Sequence, residues 1–188
     1  ARAAPQRLPV HLSAQPAENE ACLAWCGLTP TGLLASEDVL SSSLTAVHAT
    51  HLSHDDVDLL GRAQATACFC PSTERDLGDG IGPARALLDS GTRLSLGSDQ
   101  HAVIDLIEEA RALEMHERLA SGERGRLTPA DLLAAATGHT CLGWSDAGQI
   151  RVGGLADLVA IRDDTVRTVG VQPSQILLAA TAADVDTV

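Results

Sequence analysis

The sequence predicts an α/β fold, namely the C-terminal half of a (β/α)8 TIM-type barrel followed by a short β-rich segment. Three observations carry this expectation. Short apolar runs alternate with helical patterns along residues 8–143, and strand-then-helix units with brief connections imply parallel strands and right-handed crossovers. Chemistry-bearing residues stand at the end of each apolar run, the position that a βα barrel gathers on one face. Beyond Trp144 glycine turns separate short β-type runs, and no further crossover helix is evident.

The first run, LPVHLS (8–13), leads into PAENEACLAWCG (16–27), which has a proline at its start, acids in its first turn and a terminal glycine. A short helix in TPTGLLASEDVL (29–40) completes that crossover. The second run, LTAVHAT (44–50), precedes SHDDVDLLGRAQ (53–64), where Ser53 is a natural N-cap with Asp56 three residues on. The third, ATACFC (65–70), passes through a loop, PSTERDLGDG, into IGPARALLDSG (81–91). The fourth, TRLSLGSD (92–99), leads into IDLIEEARALEMHERLASG (104–122). Thr128 and Pro129 open one more helix, TPADLLAAATGHTCLG. Residues 1–143 are thus expected to form a partial barrel and 144–188 the β-rich segment, whose tail QILLAATAADVDTV (175–188) reads as a strand and helix. Four such units are half of an eightfold barrel, which takes about 250 residues. A doubly wound open sheet fits the same pattern, but its nucleotide-binding forms lack support because neither GxGxxG nor GxxxxGK[ST] occurs.

Composition narrows the function. Apolar residues make up 45% and charged residues 20% of the 188, an ordinary globular balance. A formal charge of −12 repels phosphate backbones and anionic lipid surfaces, so neither nucleic acid nor membrane is an expected partner. No apolar run approaches the roughly 20 residues needed to span a bilayer. The opening ARAAPQRLPV lacks a signal-peptide h-region and reads as the strand lead-in of a cut chain. Cys22, Cys26, Cys68, Cys70 and Cys141 are odd in number and hold no CxxC pair, which points to reduced thiols and a cytoplasmic setting. Cys68 and Cys70 share a strand, point alike and read as small hydrophobes. With no tyrosine, the core must come from Leu, Val, Ile and Ala, as in sheets buried on both faces.

The run ends pair His11 with Ser13, His48 with His51, Cys70 with the 71–80 loop and Asp99 with His101. Imidazole and carboxylate at such positions are suitable zinc donors. Singly they read more plainly: His11 as a hydrogen-bonded core histidine, Asp99 as a turn former or N-cap. His48, His51 and His54 cross from strand to loop to helix start and so cannot share one face. His54, His116, Glu108 and Glu109 read as solvated, His139 as a dipole-offsetting helix end, and the glycine pair at 78–80 as a turn.

Together, PVHLSAQPAE, VHATHL, CPSTERDLGDG, LGSDQH and the late GQIRVGGLADLVAI resemble the amidohydrolase superfamily, in particular the formimidoylglutamate deiminases of histidine degradation. The resemblance covers nearly the whole chain in motif order. GSD alone is weak, whereas VHATHL followed by CPSTERDLGDG is fairly specific. It implies that His11 is a metal ligand on the fifth barrel strand. His48, after the sixth, contacts and polarises the substrate. Asp99, on the eighth, is both metal ligand and proton acceptor. It implies zinc, which lowers the pKa of bound water to about 7, and a small β-sandwich beside the barrel. The reaction implied is hydrolysis of N-formimidoyl-L-glutamate to N-formyl-L-glutamate and ammonia. Beyond that small-molecule substrate, the partner expected is a missing N-terminal half or a second copy of the chain.

Two departures bear on activity. The family's HxH pair is absent, which leaves His11 and Asp99 as two ligands where a catalytic zinc usually takes three from protein. Ala14 stands where the family's HxxE motif has a proton-carrying glutamate, and neither Gln15 nor Glu18 is an evident replacement. The isolated chain is therefore expected to be inactive or nearly so. Two alternatives are a related zinc-dependent purine or amidine deaminase, and a non-catalytic remnant serving as a binding or assembly module.

Overall fold

A computed structural model of the protein describes residues 7–144 and 146–188; the strand lead-in expected at the extreme N-terminus falls largely outside them. Strands β1 (Leu8–Leu12), β2 (Leu44–His48), β3 (Thr66–Phe69) and β4 (Arg93–Leu96) form one sheet in the order β1-β2-β3-β4, every neighbour parallel. The predicted apolar runs supply all four. Register aligns Val10 with Ala46, Ala67 and Leu94, and the adjacent row aligns His11 with Val47, Cys68 and Ser95. Side chains alternate across a strand, so these rows face opposite ways. Ala46, Ala67 and Leu94 join Leu12, Leu44 and Phe69 in the buried core beneath the helices.

The crossovers are helices α1 (Pro16–Cys26), α2 (Pro30–Ser36), α3 (His54–Arg62), α4 (Pro71–Leu77), α5 (Ala84–Ser90), α6 (Leu106–Ser121) and α7 (Pro129–Thr137). Ser53 and Thr128 close capping boxes with Asp56 and Asp131, and Asp105 caps α6 through the Ile107 and Glu108 amides. Leu60, Leu87, Leu127 and Leu132 are fully buried where the helices meet the sheet, each burial being worth about 1.5–3 kcal/mol. Helices α3 and α5 approach closely at Gly61, where a Cβ would lie 2.7 Å from that of Ser90.

Three sequence readings need correction. The 71–80 segment is not all loop: α4 occupies most of it, opened by Pro71 and stopped by a left-handed Gly78, the same punctuation that marks α1. Glu109 is fully buried rather than solvated. Its carboxylate accepts hydrogen bonds from the Ser72 amide (2.9 Å) and hydroxyl, so the first turn of α4 supplies the donors that a buried acid needs. His116 is half-buried, and desolvation lowers its pKa.

Past Trp144 the chain forms α8 (Ile176–Ala179) and a two-stranded antiparallel pair of β5 (Ala160–Ile161) with β6 (Val185–Thr187). The tail holds the expected strand and helix, with the helix first. Leu177 and Ala180 enter the main core, and Arg111 of α6 donates to the Ala180 carbonyl at 3.0 Å. Among the described residues no helix is long and apolar enough to cross a membrane.

Candidate metal and catalytic site

The C-terminal ends of the parallel strands carry a cluster of non-glycine residues with positive φ: Ser13 (50°), His48 (69°), Ala49 (49°) and Asp99 (40°), with His101 at 59°. Such backbone is costly outside glycine and concentrates where surrounding structure enforces it, often at functional sites. Here it turns the chain out of the pleat just where His11, His48 and Asp99 sit.

Those three side chains converge. One ligand atom from each of His11, His48 and Asp99 lies within 4.8 Å of the others. His48 Nε2 is 3.7 Å from Asp99 Oδ2, and the His11 and His48 ring centroids are 5.1 Å apart. His11 and Asp99 are exposed while His48 is buried. Two imidazole nitrogens and one carboxylate oxygen are a donor set that zinc accepts, at bond lengths of about 2.0–2.2 Å. The residues present therefore fit a metal, although they supply three donors at most.

Glu74, which sequence reasoning left without a role, orients His48. It is 2% exposed, accepts from the Cys70 amide at 2.8 Å and lies 3.3 Å from His48 Nδ1. With Nδ1–H directed at Glu74, Nε2 presents its lone pair to the cluster, the arrangement by which carboxylates set the tautomer of metal-site histidines. The hydrogen bond to Glu74 raises the His48 pKa, burial opposes it, and the charges of Glu74, Asp99 and Asp79 add to it. The sequence did carry a signal, since an acid three residues into a proline-opened helix can reach back to the strand end.

A second linked group forms the rim. His51 Nε2 bonds the Asp79 carbonyl at 2.6 Å, the His51 amide donates to the Ser13 carbonyl, and Asn19 Nδ2 donates to the His51 carbonyl. Gln15 donates to the Asp79 carboxylate. His51 thus braces loops instead of joining the donor cluster, His54 is exposed, and His139 bonds the Thr137 carbonyl at the end of α7. Cys68 and Cys70 point alike, their sulfurs 3.5 and 3.1 Å from where a Gly97 Cβ would stand. Cys70 is buried, whereas Cys68 is only partly so, and hydrogen bonding from Cys70 lowers its thiol to about 7.

Ala14 offers only a methyl group at the HxxE position. Glu18, one turn into α1, folds back so that its carboxylate accepts from the Ser13 and Ala14 amides at 2.9 and 3.0 Å. A carboxylate does reach this corner, but both oxygens hold the strand end to α1.

Parallel βα units with imidazole and carboxylate donors at their C-terminal strand ends are the frame of a metal-site hydrolase. The Amidohydrolase family matches residues 2–185, and the chain belongs to that family. Over 161 residues it is 37% identical to the formimidoylglutamate deiminase of Pseudomonas aeruginosa, covering 81% of this chain and 35% of that one. It is 31% identical over 185 residues to the 5-methylthioadenosine/S-adenosylhomocysteine deaminase of Pyrococcus furiosus, covering 95% and 44%. A zinc-bound adenosine deaminase from Xanthomonas campestris superposes with a TM-score of 0.90 at 26% identity over 96% of this chain and 43% of its own. The chain thus spans less than half the length of these relatives.

Proposed function

We propose that residues 1–143 are strands five to eight of an amidohydrolase barrel with their helices, and that 144–188 return to its small β-sandwich. The whole enzyme would hydrolyse N-formimidoyl-L-glutamate to N-formyl-L-glutamate and ammonia. The observation that carries this reading is the convergence of His11, His48 and Asp99 at three strand ends, and the relative at 37% identity supports the substrate.

His11 and Asp99 would hold one zinc, with His48 at the same cluster. The metal would supply a water made acidic enough to act as a nucleophile near neutral pH. Asp99, whose side chain is 31% exposed at the cluster, would be the group that accepts a proton there. His48, fixed by Glu74, would hold a hydrogen bond at Nε2 to the attacked amidine. Addition of water to the formimidoyl carbon and cleavage of its C–N bond require a proton to travel to the departing nitrogen. Ala14 carries none and Glu18 is engaged by two amides, so no proton carrier stands at that corner among the described residues. General acid–base catalysis contributes roughly 10²–10⁴-fold, and the chain is accordingly inactive or nearly so. Free thiols at all five cysteines support a reducing cytoplasmic setting.

A second reading, a purine deaminase, is favoured by the methylthioadenosine deaminase relative and by an 8-oxoguanine deaminase of Pseudomonas aeruginosa at 33% identity over 183 residues. Ammonia release separates the two. This segment carrying Ala14→Glu, joined to an HxH-bearing first half, should release ammonia from N-formimidoylglutamate and not from methylthioadenosine. The reverse would establish the second reading, and release from neither would overturn both.

A further inference from the structure

We propose that Cys22 and Cys26 form a surface site for one thiophilic divalent cation of the zinc or cadmium type. The two cysteines lie on successive turns of α1, neither is in a disulfide, and their sulfurs are 3.8 Å apart. A tetrahedral cation with metal–sulfur bonds of about 2.3 Å sets its sulfurs about 3.8 Å from one another. The pair therefore stands at the bite of such an ion before any ion arrives, with no change in helix geometry required.

The surroundings leave the site open. Helix α1 buries none of its residues, Cys26 is exposed and Cys22 half-exposed. Two coordination positions of a bound cation would face solvent, free for water or a small ligand. Glu18 lies one turn N-terminal on the same stripe, but its oxygens are taken by the Ser13 and Ala14 amides, so sulfur alone defines the site. Soft thiolates prefer zinc, cadmium and similar ions over hard cations, which separates this site chemically from the nitrogen and oxygen donors of His11, His48 and Asp99. Binding is not a redox step: each thiol gives up its proton, two metal–sulfur bonds form, and two protons leave per cation. Because each sulfur must lose its proton to bind, binding tightens as pH rises.

The test is a cadmium titration of the full 188-residue chain, read by the ultraviolet thiolate-to-cadmium band and by proton release. The thiolate band should saturate at one equivalent of cadmium, with two protons released per cation that contributes to it, and its affinity should fall at least tenfold in Cys22→Ser and in Cys26→Ser. The band should survive in a Cys68→Ser/Cys141→Ser double variant. Both helix positions are on the surface, and far-UV circular dichroism checks that each variant folds. A band that persists unchanged in Cys22→Ser, or that disappears only in the Cys68→Ser/Cys141→Ser protein, would overturn the proposal.

Discussion

Glu74 Oε1 accepts the Cys70 amide hydrogen bond at 2.8 Å and lies 3.3 Å from His48 Nδ1, so the start of α4 and the end of β2 are held by one carboxylate oxygen. Glu74→Ala removes the group that fixes the imidazole. Carboxylates that orient histidines at a metal site are worth roughly 10–100-fold in affinity or activity. With His48 facing the substrate, Glu74→Ala in the segment carrying Ala14→Glu and joined to an HxH-bearing first half should lower ammonia release by about that factor, whereas zinc binding measured by calorimetry should weaken in His11→Ala and Asp99→Ala. Unchanged release in Glu74→Ala would show that His48 is held by other means.

The link from Glu109 to Ser72 predicts a stability effect. Burial raises the Glu109 pKa while the Ser72 bonds oppose the shift. A group raised in the folded state favours folding below its unfolded pKa of about 4.3 and loses that benefit as pH rises through the folded value. Glu109→Gln keeps an acceptor for Ser72 and removes the charge, so urea midpoints of the variant should gain on those of the parent as pH rises above the unfolded value. A gap that does not change with pH would refute the assignment.

Asp184 predicts the opposite slope. It is fully buried, and Arg167 together with the hydroxyl of Thr165 and the amide of Thr181 holds its carboxyl well below the usual range. Its contribution is present above the unfolded pKa, near 3.9, and disappears as pH falls through the folded one. Asp184→Asn should therefore unfold at lower urea than the parent at pH 6, with the difference narrowing in acid. A constant difference would contradict the sign.

Much of this was legible in the sequence because local rules and tertiary outcome agree. Ser53 with Asp56 and Thr128 with Asp131 announce their capping boxes, and four apolar runs became four parallel strands in sequence order. What escaped depends on long separations. Glu109 reads as one of two solvated acids until Ser72, 37 residues away, is brought to it. Glu74 reads as a loop residue until α4 turns it onto His48, 26 residues upstream. The backbone strain at Ser13, His48 and Asp99 has no sequence signature, since none is a glycine.

Gly61 tests the packing that positions these strand ends. In an exposed helix, replacing Gly by Ala gains about 0.5–1 kcal/mol, but here the new methyl would press on the backbone oxygen and Cβ of Ser90. Gly61→Ala should instead cost about 1–3 kcal/mol, read from urea denaturation. A stabilised variant would show that α3 and α5 are less tightly apposed.

The account rests on a site that can hold a metal but lacks both a full ligand set and a proton carrier at Ala14. The most direct measurement is ammonia release from N-formimidoyl-L-glutamate by the 188-residue chain alone with saturating zinc. The account predicts no release above the uncatalysed rate. Release that depends on zinc and is lost in Asp99→Ala would contradict it, because the chain would then possess the complete machinery that Ala14 and the absent histidine pair are held to deny it.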